Sequence, residues 1–210
     1  MLNELLSRYP ALAVCRDQLQ AAMELLYTTY CEGGRILVCG NGGSCADSEH
    51  IVGELMKGFL LPRPIPAKDV AALRALFPED ADRMAAALQR AIPAISLPSQ
   101  VAVSSAYIND VQPDMVYAQL VYGYPGTADT VIGISTSGNS ANVVNAIKVA
   151  RVCGKRTLGL TGAKPGQLDS LCDIVIKVPE TETYKIQELH LPVYHYLCAA
   201  LEQRAFGNEE

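Results

Sequence analysis

Apolar residues recur at helical spacing from residue 3 to about 31, at Leu5, Leu6, Leu12, Val14, Leu19, Met23, Leu25 and Leu26. This pattern predicts helix, broken early by Pro10. Gly33-Gly34 stops it, and Arg35-Ile-Leu-Val-Cys39 reads as a short buried strand. The spacing next predicts a helix over Ala46 to Met56 and a second strand at Ile95 to Leu97. Asp129 to Ile134 is a third strand, followed by a helix marked by Val143, Val144, Ile147 and Val149. Arg156 to Leu160 and Ile174 to Val178 are strands four and five, and a last helix covers roughly Thr183 to Arg204. Strands alternating with helices in this way predict a three-layer αβα sandwich around a parallel five-stranded sheet, with an N-terminal helix.

One stretch breaks the rhythm. Ala67 to Ile92 is Ala-rich, charged and helix-prone, interrupted by Phe77-Pro78-Glu79-Asp80. It reads as two short helices inserted ahead of the second strand. The expectation is therefore a single domain over 1–210 with a helical insertion at about 67–92.

Composition narrows the class of function. Half of the 210 residues are apolar and the net charge is −5, with no cluster of Lys and Arg. That argues against a nucleic-acid surface. No apolar run approaches the ~18 residues of a membrane span. The N-terminus, with Glu4 and Ser7, does not read as a signal peptide. Seven cysteines without a CxxC pair fit a reducing cytoplasm.

Two turns carry candidate chemistry. Gly40-Asn-Gly-Gly-Ser44 and Ser135-Thr-Ser-Gly-Asn-Ser140 each follow a strand and precede a helix, where ligands sit in open parallel sheets. Gly42 and Gly43 let backbone amides approach an anion, Asn41 and Ser44 add donors, and the following helix adds its positive end. Ser135, Thr136, Ser137 and Ser140 supply four hydroxyls. Neither turn holds a Lys, which suits a monophosphate bound rather than transferred. The first turn lacks Gly-Lys-Ser/Thr, and Cys45 stands where a dinucleotide fingerprint needs its third Gly.

The three histidines fall in two helical segments. His50 and Glu54 are i, i+4 and share a face. Gln187 and His195, eight residues apart, lie about 80° apart around the helix axis and face one sector. His50, Glu54 and His195 suit a transition metal, general acid–base chemistry, or simply polar positions on amphipathic helices. His190 reads as a satisfied core histidine.

These stretches, 36–55, 94–110, 133–151, 158–162 and 174–198, resemble the sugar isomerase (SIS) domain family and, within it, the bacterial phosphoheptose isomerases. The combination of Ile-Ser-Thr-Ser-Gly-Asn-Ser with Ile-Gln-Glu-Leu-His is far more specific than either part. The resemblance implies a homotetramer with shared active sites and phosphate binding by Ser44, Ser135, Thr136, Ser137 and Ser140. It places Asn41 and Asp110 near the sugar, and a metal, usually zinc and one per site, at His50, Glu54, Gln187 and His195. Glu54 and His195 become the acid/base pair for aldose–ketose isomerisation of sedoheptulose 7-phosphate. An isomerase of another phosphosugar and a non-catalytic phosphosugar sensor or adaptor are the alternatives; adaptors of this type lack the carboxylate and second histidine found here. Three features depart from the family pattern: the segment at 67–92, the Tyr184-Lys185 pair before Gln187, and Pro192 inside the last helix, where a kink is expected.

Overall fold

The computed structural model describes residues 1–207. Strands β1 (Ile36–Gly40), β2 (Ala94–Ser96), β3 (Thr130–Ile134), β4 (Arg156–Thr161) and β5 (Ile174–Lys177) form one parallel sheet in the order β2-β1-β3-β4-β5. The expected α/β sandwich is present. Its helices are α1 (Leu2–Arg8), α2 (Arg16–Cys31), α3 (Gly43–Met56), α4 (Ala67–Leu76), α5 (Ala81–Ala87), α6 (Val101–Asp110), α7 (Val116–Gly123), α8 (Ala141–Val152), α9 (Leu168–Leu171) and α10 (Thr183–Phe206). Pro10 opens a 3₁₀ turn, Pro10–Cys15, rather than a gap.

The strands are mostly apolar, with polar residues chiefly at their ends, because both sheet faces are covered. In β1, Ile36 and Val38 join a core with α1, α2, α3 and α10, while Leu37 and Cys39 join another with α7, α8 and α9. This is the two-residue alternation of a strand dividing one sequence between two layers.

The order of strands decides where a ligand can sit. The chain leaves β1 toward β2 on one side and β3 toward β4 on the other, so their carboxyl ends flank the crevice at the switch point. Gly40 and Ile134 are register partners. The two candidate turns therefore start side by side, at one level.

Two departures from the sequence reading have physical reasons. Helix α3 starts at Gly43, inside the glycine turn, three residues earlier than its apolar pattern. Residues 98–128, which the pattern leaves unassigned, hold α6 and α7. Helix α6 has no buried residue and exposes Val101, Val103 and Ile108, so it carries no apolar stripe to read. Helix α10 is continuous through Pro192.

Candidate active site

The first turn is shaped by its glycines. Gly42 has φ 57° and ψ −120°, a conformation that side chains resist. A Cβ on Gly43 would lie 2.5 Å from Gln187 Nε2, so α3 begins in close contact with α10. Ser44 is buried; Asn41, Gly42 and Gly43 are exposed. The second turn folds on its own hydroxyls. Ser135 and Ser140 share a hydrogen bond of 2.9 Å, the Ser137 hydroxyl accepts from the Asn139 amide at 3.2 Å, and Gly138 takes φ 66°.

A staple joins the two turns. Asn41 and Asn142 exchange reciprocal amide bonds of 2.8 and 2.9 Å, and the Tyr117 hydroxyl donates to Gly40 O at 2.9 Å and Asn41 Oδ1 at 3.2 Å. Asn142 and Tyr117 escape the sequence reading, since nothing local marks them. Asp110, expected near the sugar, ends α6 in the open and accepts from Asn109 at 2.8 Å.

Helices α3 and α10 run side by side in the same direction, because both follow the parallel grain of the sheet. Their contacts come in order: Gly43 against Gln187, then Asp47 and His50 against Tyr194, then His50 against His195. His50 Nε2 lies 3.3 Å from Glu54 Oε1 and 3.5 Å from His195 Nε2. Glu54 Oε2 accepts from Lys57 Nζ at 3.2 Å. The structure thus brings His50, Glu54 and His195 together. Gln187, about 12 Å along α10 from His195 by helical rise, lies against Gly43 instead. Burial pushes the His195 imidazole below its ordinary value, with neighbouring His50 acting in the same direction and Glu54 opposing.

The trio has donors suited to a metal. Bonds of about 2.0–2.1 Å at tetrahedral angles set neighbouring ligand atoms about 3.3 Å apart, close to both separations here. Among the described residues no group of three or more His, Cys, Asp and Glu is arranged to hold a metal ion. The fit rests on these pairwise separations and on the chemistry of the donors.

The C-terminal end of α3, next to Glu54, is anchored by a buried ion pair. Arg63 donates to Leu55 O at 2.7 Å, Glu54 O at 3.3 Å and Glu202 Oε1 at 2.7 Å. Glu202, on α10, also accepts from the amides of Phe59, Leu60 and Leu61. Burial pushes its carboxyl up, but these amides and Arg63 outweigh that and hold it below the usual range. A cavity of about 250 Å³ opens beside His195, walled by Glu4, Arg8, Phe59 and Leu60 among others. Neither serine turn lines it.

The sequence matches SIS domain models over residues 3–84 and 107–200. The phosphoheptose isomerase of Aliarcobacter butzleri is 35% identical over 187 residues, covering 89% of this chain and 85% of the relative. The structure of phosphoheptose isomerase GmhA from Neisseria gonorrhoeae gives a TM-score of 0.69 at 29% identity, covering 88% of this chain and 86% of that one. A phosphoheptose isomerase from Francisella tularensis shares the fold, with a TM-score of 0.71 at 24% identity over 96% of this chain and 98% of that one. The chain belongs to the SIS domain family, alongside the phosphoheptose isomerases.

Proposed function

We propose that the protein is an aldose–ketose isomerase that interconverts sedoheptulose 7-phosphate and a heptose 7-phosphate. The convergence of His50, Glu54 and His195 from two helices, beside a sheet whose switch point carries two serine and glycine turns, is the observation that carries this reading. A sensor needs the turns alone.

The phosphate lies at Gly42, Gly43, Ser44, Ser135, Thr136, Ser137 and Ser140, with the N-termini of α3 and α8 adding favourable charge. Asn41 and Asp110 serve the sugar hydroxyls. Glu54 takes the proton from C1 of the ketose, giving a cis-enediol, and returns it at C2. His195 moves the accompanying proton between O1 and O2. His50, Glu54, His195 and Gln187 would hold one zinc, which supplies Lewis-acid polarisation of the sugar carbonyl when bound.

The active unit is a homotetramer, and the exposed apolar residues of α6 are a surface that association would cover. All seven cysteines are free, in keeping with a cytoplasmic enzyme. No helix among the described residues is long and apolar enough to cross a membrane. One SIS domain spans the chain, with 67–92 as an insertion.

The test is turnover of sedoheptulose 7-phosphate by zinc-loaded protein, followed as appearance of an aldose. Glu54→Gln is expected to abolish turnover and to keep phosphosugar binding. Tight binding without turnover across a panel of phosphosugars would favour the sensor and overturn the enzyme.

A further inference from the structure

The other ring nitrogen of His50 is held by a part-buried network. Its Nδ1 lies 3.0 Å from the Tyr194 hydroxyl, and that hydroxyl donates to Asp47 Oδ1 at 3.3 Å. Asp47 and His50 stand on successive turns of α3, so a single phenol reaching across from α10 bridges both. Tyr194 is 2% exposed, and its ring makes edge contacts with His50 at 5.4 Å and His195 at 5.1 Å. Asp47 Oδ2 is buried without a hydrogen-bond partner among the described residues.

With Asp47 ionised, the protons of these groups distribute in one way. A phenol has one hydrogen to give and lone pairs to receive. Asp47 Oδ1 takes that hydrogen, so the phenol oxygen faces His50 as an acceptor, and Nδ1 must supply the proton. His50 Nε2 is then a bare lone pair. It faces the carboxylate of Glu54 at 3.3 Å and Nε2 of His195 at 3.5 Å.

We propose that Asp47 and Tyr194 form a positioning dyad that locks His50 in the Nδ1–H tautomer, presenting Nε2 as a ready ligand for a divalent cation. The inference builds on the metal reading above, and adds two residues that touch neither metal nor sugar. In metal sites such outer partners fix ring orientation and tautomer, and their loss lowers affinity about 10–100-fold. Sequence supplies a faint signal: Asp47, His50 and Glu54 recur at i, i+3 and i+7 on one helix face.

The experiment uses full-length protein with ¹⁵N-labelled histidine. Long-range ¹H–¹⁵N spectra of the metal-free form distinguish the two tautomers of His50, and competition with a chromophoric chelator gives zinc affinity. Wild-type protein should show a single Nδ1–H form. Tyr194→Phe removes one oxygen and keeps the ring; it should give a mixture of tautomers and zinc affinity about 10–100-fold lower. Asp47→Asn, which can donate where Asp47 only accepts, should raise the Nε2–H population and stands in if Tyr194→Phe does not fold. Wild-type His50 in the Nε2–H form, or variants that leave His50 wholly Nδ1–H, would overturn the dyad. If wild-type protein binds no zinc, the metal reading fails, and the tautomer spectra still judge the lock by themselves.

Discussion

At its N-terminal end α3 starts on two exposed glycines, and the anion site proposed there draws on backbone and on the hydroxyls of two turns. At its C-terminal end, the same helix is closed by Arg63, which reaches back to the carbonyls of Glu54 and Leu55 and is itself neutralised by Glu202. The first end needs no buried charge; the second fully buries a pair of opposite charges. Binding a dianion calls for donors that remain accessible, whereas aligning a carboxylate with two imidazoles calls for side chains that cannot rotate. The same helix meets both demands because its two ends are supported by different parts of the chain.

The largest test of this contrast is Glu202→Ala. It leaves a buried guanidinium unpaired and removes the acceptor of three strap amides, so stability should fall by about 3–5 kcal/mol in urea denaturation. The double variant Arg63→Met with Glu202→Leu should recover part of the loss, because no charge is then stranded. Recovery stays incomplete, since the amides of Phe59, Leu60 and Leu61 still lack an acceptor. A loss under about 1 kcal/mol in the single variant, typical of an exposed pair, would remove the contrast between the two ends.

Between the ends, α10 carries fully buried His190 across to Thr161 O at 3.3 Å, with Nδ1 unpaired among the described residues. Burial is the main cause that pushes this imidazole down to about 4 from 6.5, against a smaller opposing effect of the Thr161 carbonyl. The unfolded chain therefore takes up a proton before the folded one does. Stability from neutral His190 is complete above pH 6.5 and is lost as pH falls toward 4, by about 2 kcal/mol at pH 5. His190→Leu should show a smaller fall in urea midpoint between pH 7 and pH 5. An equal fall would place the acid sensitivity elsewhere.

The two ends also differ in how far sequence reveals them. The turns are legible because their signal is local: glycine, serine and asparagine between an apolar strand and a helix. The five strands and their parallel sense follow from the same patterning. His50 and Glu54 are legible as a pair because a helix repeats every three to four residues. What holds them is not, since Arg63, Tyr194 and Glu202 approach from positions 9 to 148 residues beyond Glu54, and an isolated Arg or Tyr looks the same whether exposed or buried. Asn142 and Tyr117 are hidden for the same reason. Helix α6 is missed because its apolar residues face outward.

A smaller effect is expected at the glycine end. Gly42→Ala meets no atom within 4 Å, so its cost is conformational alone, about 1–3 kcal/mol for a side chain in this sparsely populated region. Phosphate affinity should fall with it, because the amides that follow turn away. Gly43→Ala acts differently: its Cβ displaces the end of the Gln187 side chain, which is flexible, so stability should change little while phosphosugar binding weakens. Thermal melts and calorimetry with inorganic phosphate and with the sugar phosphate separate the two. Equal losses of stability would mean that the turn is held by something other than the Gly42 backbone.

The smallest change should come from removing α4 and α5, which belong to neither end. Their stem is already closed, by Arg90 N to Arg63 O at 2.7 Å and a bridge between Pro64 and Gln89. Helix α4 has no buried residue, and α5 buries only Ala81. The exposed Arg74–Asp82 pair between them contributes under about 1 kcal/mol. Replacing residues 66–88 with three glycines shortens the loop by more than two halvings, each worth about 0.6 kcal/mol in closure entropy. That gain offsets the lost packing of α4 on α5, so stability should stay within about 1 kcal/mol of the parent in urea. Arg63 and Glu202 are untouched, and Glu54 should therefore remain in place. Turnover that survives with altered preference among phosphosugars would assign the segment to substrate choice. Collapse of the fold would instead make α4 and α5 part of what anchors the C-terminal end of α3.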